Sequence, residues 1–137
     1  MPAVELTEPQ LVEWGDRFGR ALALPAFVTF SGDLGAGKTT LIRAIAHAQG
    51  ALEPVTSQSY GLVHEYASPR GPVIHIDLYR LEGPDELPQL GWDDILQTRA
   101  IVLVEWPERA FGALPPEHVS LRLEHVDGRP DVRRLSW

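Results

Sequence analysis

The sequence has no cysteine, a single lysine and no long run of apolar residues. The missing thiols exclude disulfides, thiol catalysis and zinc–thiolate centres. No apolar run approaches the ~18 residues that a membrane-spanning helix needs, and the first residues lack the charged start and apolar core of a secretion signal. We therefore expect a cytoplasmic protein with no membrane partner, whose 137 residues form one domain over 1–137.

An excess of basic charge is also missing. The formal net charge is −7, whereas broad binding to a nucleic-acid backbone needs a basic surface. The five histidines show no metal-ligand spacing. The composition thus argues against a structural metal, and any RNA involved is expected to be held by partner proteins.

The lone lysine, Lys38, lies in a glycine-rich motif. Residues 32–39 read G-D-L-G-A-G-K-T, a complete match to the phosphate-binding pattern G-x-x-x-x-G-K-[ST]. In such a loop the backbone N–H groups point at the β-phosphate, the lysine reaches the β- and γ-phosphates, and the Thr39 hydroxyl can hold Mg²⁺. The residues expected to bind a nucleotide are Leu34, Gly35, Ala36, Gly37, Lys38, Thr39 and Thr40.

The flanks of the motif agree with this interpretation. Residues 26–31 form a short apolar run rich in β-branched and aromatic side chains, which favours a strand. Residues 40–49 carry apolar side chains at helical spacing, and Gly50 is a suitable stop. The alternative is a glycine-rich turn that contains Lys-Thr by chance.

The rest of the first half predicts one helix and one hairpin. A capped start at Thr7, with Gln10 three residues later, opens an apolar helical stripe that runs to about residue 23. Extended runs at 61–66 and 72–77, joined by A-S-P-R-G, predict an antiparallel hairpin. Alternation places His75 and Asp77 on one face of its second strand.

The second half predicts further helices and strands. Gly83-Pro84 opens a short acidic helix, and residues 92–97 predict another helical turn or two. The unalternated apolar run at 101–104 suits a central strand buried on both faces. Residues 119–123 and 132–137 predict paired strands around an Asp-Gly turn at 127–128. Together these elements predict an α/β fold, a P-loop NTPase-like three-layer sandwich with a mixed central sheet and marginal antiparallel hairpins.

Two carboxylates are candidates for catalysis, because a nucleotide site needs a ligand for Mg²⁺ and a group that positions the attacker. Glu105 follows the apolar run, and a parallel strand beside the loop strand would bring it next to Thr39. Its alternative is an ordinary strand-end carboxylate in solvent. Asp77 ends a second strand and can hold Mg²⁺ through water or orient the attacking water. Its alternative is to cap the following turn.

Other candidates carry weaker signals. Asp33 lies inside the loop, where a carboxylate beside phosphate predicts outward orientation or positioning of water. Ser57 and Ser59 lie in a polar connection after the loop helix, either a γ-phosphate sensor or a plain linker. Arg80 and Arg109 can neutralise charge on the phosphoryl group or remain solvated. Trp106 either packs in the core or forms a contact surface, and His75 is expected to be structural.

Four stretches occur together in the order and spacing of one family. They are G-D-L-G-A-G-K-T-T at 32–40, H-I-D-L-Y-R at 75–80, D-E-L-P-Q-L-G-W-D-D at 85–94 and L-V-E-W-P-E-R at 103–109. Over nearly its whole length the chain resembles the TsaE family, the P-loop ATPases of bacterial tRNA threonylcarbamoyladenosine biosynthesis.

The resemblance implies roles for individual residues. Lys38 matches the phosphate-binding lysine, Thr39 and Glu105 match the Mg²⁺ pair, and Asp77 matches an acidic residue needed for hydrolysis. Trp106 matches a tryptophan implicated in function. The resemblance also places the adenine of ATP near three further residues, Glu8, Gly128 and Arg129.

One departure concerns the loop after the P-loop helix. The family usually shows S-P-T there, whereas this chain reads S-Q-S at 57–59. Ser59 still offers a hydroxyl, but without the proline the loop is expected to be looser.

The resemblance further implies an ATPase that yields ADP and acts on the partner proteins TsaB and TsaD, which modify tRNA. Two alternatives stay open: a nucleotide-dependent adaptor with incidental turnover, and a small-molecule P-loop kinase, although little of the chain remains for a substrate-binding segment. A GTPase is disfavoured, because the guanine-reading Asn-Lys-x-Asp motif needs a second lysine.

Overall fold

The computed structural model describes residues 2–51 and 62–137, together with the backbone of 54–58. The three helices that it describes are α1 (Glu8–Ala21), α2 (Lys38–Ala48) and α3 (Trp92–Gln97). The strands are β1 (Ala3–Thr7), β2 (Ala26–Ser31), β3 (Pro54–Gln58), β4 (Val63–Tyr66), β5 (Val73–Asp77), β6 (Ile101–Glu105), β7 (Val119–Val126) and β8 (Arg129–Ser136).

These eight strands form one mixed sheet in the order β1-β8-β7-β2-β6-β5-β4-β3. The centre is parallel, with β6 between β2 and β5 and β7 beside β2, and both margins are antiparallel. Every residue of β6 is buried, as expected for an unalternated apolar strand covered on both faces. The α/β class, the mixed sheet and the marginal hairpins are therefore as predicted.

Two apolar layers cover the sheet. On one face, α1 and α2 pack over side chains that include Phe30 and Leu103. On the other face, Val102 and Val104 pack against α3, which includes Trp92, and against the segment before it. Each fully buried side chain of this kind contributes about 1.5–3 kcal/mol relative to an exposed one. The three layers hold the central strands in a fixed register.

The expected helices agree with the structure within two residues at each end, except the acidic helix at Gly83-Pro84. That segment forms only single 3-10 turns, at Pro84–Glu86 and Pro88–Leu90, because the second proline lacks the N–H that a continuing helix needs. The N–H of Thr7 donates to Oε1 of Gln10 at 2.9 Å, so the predicted cap of α1 is confirmed.

Strands β1 and β3 were not expected. The first pairs with β8 and the third with β4, and both are edge strands. Ser57 was expected in a polar connection, but it is a residue of β3. The connection reads as polar because an edge strand needs only one paired neighbour and no continuous apolar run. Ser59 lies outside the described residues.

The order of the strands decides where polar residues meet. Phe30 near the end of β2 and Asp77 at the end of β5 both pair with Glu105 at the end of β6. In parallel α/β sheets, ligands bind beyond the carboxyl ends of such strands. The glycine loop leaves β2 at this same edge, so the fold brings it beside both carboxylates.

Candidate functional site

The glycine loop joins β2 to α2 in a conformation that needs glycine. Gly32 has a φ of +130°, and a Cβ there would lie 2.1 Å from the backbone oxygen of Leu123. Gly37, with a φ of +101°, is the N-cap of α2, which begins at Lys38. The loop thus presents the start of a helix, where unpaired N–H groups and the helix dipole favour an anion.

Lys38 is only 4% exposed. Its Nζ donates to the backbone oxygen of Gly32 at 2.5 Å and lies 3.7 Å from the centroid of the Trp106 ring. Burial lowers the pKa of Lys38, and nearby carboxylates, Glu105 first among them, offset part of that effect. The ammonium is therefore held inside the protein.

A cavity of about 340 Å³ opens beside the loop. It is lined by Leu34, Gly35, Gly37, Lys38, Thr39, Thr40, Asp77, Tyr79, Glu105 and Trp106. The loop residues expected to cradle phosphate and the two expected carboxylates thus line one space. Ala36 is buried beneath the loop and lies in the apolar core.

Glu105 is held inside the sheet edge, since it is only 6% exposed. Its Oε2 lies 2.8 Å from Nε2 of His75, which is hydrogen-bond distance, and an ionised carboxylate at this position accepts from the imidazole N–H. The alternative of a solvated strand-end carboxylate is therefore wrong. His75 orients the carboxylate, a role that its sequence position did not indicate, because it depends on the register of β5 against β6.

The carboxylate of Asp77 caps a turn and also lines the cavity. Its Oδ1 accepts a hydrogen bond from the N–H of Tyr79 at 3.0 Å, so it caps the turn after β5. The same side chain lines the cavity. Capping fixes the carboxylate in place and does not remove it from the candidate site.

A second cavity, of about 350 Å³, lies on the other side of the loop. It is lined by Thr7, Glu8, Pro9, Leu11, Gly35, Gly37, Thr40, Pro130, Asp131 and Arg133. Of the three residues expected near the adenine, Glu8 lines this cavity, whereas Gly128 and Arg129 are not among the lining residues. Arg129 instead forms an ion pair with Glu5 at 3.2 Å.

Sequence reasoning missed Arg133 in this second cavity. Its guanidinium donates to the backbone oxygen of Gly35 at 3.3 Å and to those of Pro130 and Val132. It therefore ties the glycine loop to β8. No sequence signal identified it, since the contact depends on how the sheet places β8 near the loop.

Three further candidates, Asp33, Arg80 and Arg109, do not line the 340 Å³ cavity. Asp33 is exposed in the loop, and Arg80 is exposed after β5. Arg109 donates to the backbone oxygen of Leu81 at 2.9 Å. Neither arginine is among the residues that line the 340 Å³ cavity.

The donor set of this cavity fits Mg²⁺. Thr39 offers a hydroxyl and Glu105 and Asp77 offer carboxylates, which are the hard oxygen ligands that this ion prefers. Within the described part of the chain, no group of three or more His, Cys, Asp or Glu residues could hold a metal on its own. The arrangement suits an ion held by one or two protein ligands plus phosphate oxygens and water.

A strand, a glycine loop with the phosphate-binding pattern and a helix that begins at its lysine define an α/β protein of the P-loop class. A family model described as "Threonylcarbamoyl adenosine biosynthesis protein TsaE" matches residues 6–134. The chain therefore belongs to the TsaE family, which is involved in tRNA threonylcarbamoyladenosine biosynthesis.

Individual relatives agree with this assignment. The chain is 38% identical over 109 positions to the TsaE protein of Haemophilus influenzae. This alignment covers 80% of this chain and 69% of that protein. It is 36% identical over 146 aligned positions to the TsaE protein of Mycobacterium tuberculosis, covering 100% and 83%. The crystal structure of Bacillus subtilis YdiB superposes with a TM-score of 0.71 at 26% identity, covering 98% of this chain and 82% of that one.

No helix in the described residues is long and apolar enough to cross a membrane.

Proposed function

We propose that this chain binds ATP with Mg²⁺ and hydrolyses it to ADP and inorganic phosphate, in the cytoplasm, as the ATPase component of tRNA threonylcarbamoyladenosine synthesis. The observation that carries the proposal is the convergence of Lys38, Thr39 and Glu105 on one cavity at the carboxyl edge of the parallel strands. The cavity lies beside a glycine loop whose conformation suits phosphate.

Each residue has a part in the proposed reaction. The N–H groups at the start of α2 and the ammonium of Lys38 bind the phosphates, and the nucleoside extends towards Glu8 in the second cavity. Thr39 and Glu105 would hold Mg²⁺, which neutralises charge on the phosphates when it is bound. Asp77 accepts a hydrogen bond from the attacking water and orients it. The oxygen of this water bonds to the γ-phosphorus as the bond to the bridging oxygen breaks, so ADP leaves with the bridging oxygen and the proton of the water ends on the released phosphate.

The proposal includes TsaB and TsaD as partners. No described residue that lines the 340 Å³ cavity is an arginine, and an arginine in the transition state accelerates phosphoryl transfer by about 10³–10⁵. Turnover by the chain alone is therefore expected to be weak, with the partners completing the site. Because the net charge is −7, tRNA would be held by those partners.

The lack of an arginine among the described residues that line this cavity also favours one alternative, the adaptor. In an adaptor, bound ATP shapes a docking surface for the partners, and ATP turnover is incidental. The adaptor needs Lys38 and the loop but not the carboxylate that activates water.

Phosphate release tests the proposal. Wild type, Glu105→Ala and the control Glu108→Ala are compared, each alone and with TsaB and TsaD; Glu108 is exposed and three residues further along the chain. Hydrolysis is expected to rise with the partners and to fall more than about 10-fold in Glu105→Ala only, since even indirect changes at metal sites cost that much. Fast turnover by the chain alone, unaffected by the partners, contradicts partner activation, and equal turnover in Glu105→Ala contradicts the assigned site.

A further inference from the structure

Among the described residues, two groups contact the ammonium of Lys38. Its Nζ donates to the carbonyl of Gly32 and lies over the Trp106 ring, 3.7 Å from the centroid. Within the described residues no carboxylate lies within ion-pair distance of this ammonium. Beside the carbonyl of Gly32, the face of the indole is therefore the electrostatic partner of the ammonium, in a cation–π contact.

The backbone fixes the position of the indole. Successive side chains of a strand point to opposite faces, so an extended Trp106 would point away from the cavity that Glu105 lines. Trp106 instead has a φ of +59° and a ψ of +55°, a conformation that is unusual for a bulky residue. This turn brings Trp106 and Glu105 to the same cavity.

Three contacts maintain that turn. The N–H of Trp106 donates to the carbonyl of Phe30 at 3.3 Å, and its own carbonyl accepts from the N–H of Arg109 at 3.0 Å. The ring of Tyr79 lies 4.9 Å from the indole, centroid to centroid. A strained conformation that its surroundings maintain in this way often marks a functional residue.

We propose that Trp106 is a positioning residue that holds Lys38 withdrawn from the phosphate site, and that a bound phosphate must draw the ammonium off the indole. The inference rests on the proposed function, and it gives that site a defined resting state. Nucleotide binding then includes the free energy of breaking the contact, which lowers the apparent affinity.

The size of the effect follows from the strength of the contact. The free energy of a cation–π contact at a partly desolvated site is enough to change an equilibrium constant by about 3-fold to 30-fold. Trp106→Leu, which removes the aromatic face, is expected to bind ADP with Mg²⁺ more tightly by a factor in this range. Trp106→Phe, which keeps a weaker aromatic face, is expected to fall between Trp106→Leu and wild type.

The single lysine makes a direct test available. Because Lys38 is the only lysine, protein made with lysine carrying ¹³C at the ε position gives one side-chain methylene signal in NMR spectra. Ring current from the indole is expected to shift this signal upfield in the nucleotide-free wild type. The shift is expected to be lost in Trp106→Leu and reduced in Trp106→Phe. It should persist in Trp137→Leu, which removes an indole that lies tilted against the ring of Trp14.

Titration with ADP and Mg²⁺ completes the test, with calorimetry on the same samples. Saturation is expected to move the wild-type signal to the position seen in Trp106→Leu. An unshifted signal in the free wild type contradicts the contact. Weaker or equal binding by a folded Trp106→Leu contradicts the proposal that the contact opposes nucleotide binding. Binding that leaves the signal in place contradicts the displacement alone, whereas absence of any ADP binding contradicts the proposed function itself.

Discussion

Lys38 is a charged group that the fold buries, and the nucleotide-free protein must accommodate that charge. The carbonyl of Gly32 and the ring of Trp106 replace water around the ammonium. The pKa of Lys38 is nevertheless lowered, with burial as the largest cause. The charged form is therefore less favourable in the folded chain than in the unfolded one, as is common at sites kept for function.

Lys38→Met is expected to stabilise the nucleotide-free protein at pH 7, because it removes this buried charge. Below the lowered pKa, Lys38 is protonated in both the folded and the unfolded wild type, and the buried charge destabilises the folded state by its full amount. Between that pKa and 10.5 the unfolded state binds more protons, so the wild type gains stability as the pH rises. Urea unfolding should give Lys38→Met a higher free energy of unfolding than wild type at pH 7. The difference between the two proteins should be smaller at pH 10.

The control for this measurement is Arg17→Met, which removes an exposed cation from α1. It is expected to show no comparable change in relative stability between the two pH values. A wild type more stable than Lys38→Met at pH 7 would contradict the view that burial dominates the environment of the lysine.

At the scale of residues, the sequence identified the side chains that its motifs contain. Lys38, Thr39 and Glu105 could be predicted because loop spacing and a strand-end carboxylate are local patterns. His75 and Arg133 could not be assigned their contacts, because these depend on strand register and on where β8 lies. The roles of the individual site residues stay predictions.

At the scale of elements, α1 and α2 pack through glycine. A Cβ at Gly15 would lie 2.8 Å from the Cβ of Ala44, and one at Gly19 would lie 2.8 Å from the backbone oxygen of Ile45. The amide Nε2 of Gln49 then donates to the carbonyl of Gly19, which lies in the last turn of α1. Because α2 begins at the glycine loop, this contact also positions the loop.

Gly19→Ala is expected to destabilise the protein by about 1–3 kcal/mol. Alanine favours a helix interior by about 1 kcal/mol, but here its methyl group would push against the backbone of α2, which cannot move without shifting the loop. Chemical denaturation measures the change. Glu13→Ala, on the exposed side of the same helix, is the control and should stay within about 0.5 kcal/mol of wild type. A Gly19→Ala variant as stable as wild type would show that the two helices separate without cost.

Elements with strong local patterns were predictable, and those that depend on a distant partner were not. The apolar run of β6, the cap of α1 and the turn between β7 and β8 all appear as expected. Strand β1 is too short and too exposed to give a signal, and it forms because β8 offers it a paired edge. The acidic segment shortened to single turns because of its prolines.

At the scale of the whole molecule, the site results from strand order. Placing β6 between β2 and β5 sets the loop, Glu105 and Asp77 at one edge. The sequence predicted a parallel strand beside the loop strand and a mixed sheet, but not the position of the outer strands. The assignment of one domain to residues 1–137 stays a prediction.

The central claim is that ATP hydrolysis, and not ATP binding alone, serves tRNA modification. The most direct test measures threonylcarbamoyladenosine in tRNA with TsaB, TsaD and either wild type or Asp77→Asn. The amide keeps an oxygen that can accept from the N–H of Tyr79, so the turn should survive. Asp93→Asn, an exposed change in α3, is the control.

The account predicts that Asp77→Asn still binds ATP, as calorimetry on the same samples would show, while hydrolysis and tRNA modification both fail and Asp93→Asn behaves as wild type. Full modification by an Asp77→Asn chain that binds ATP but does not hydrolyse it would contradict the account and make the protein an ATP-dependent adaptor.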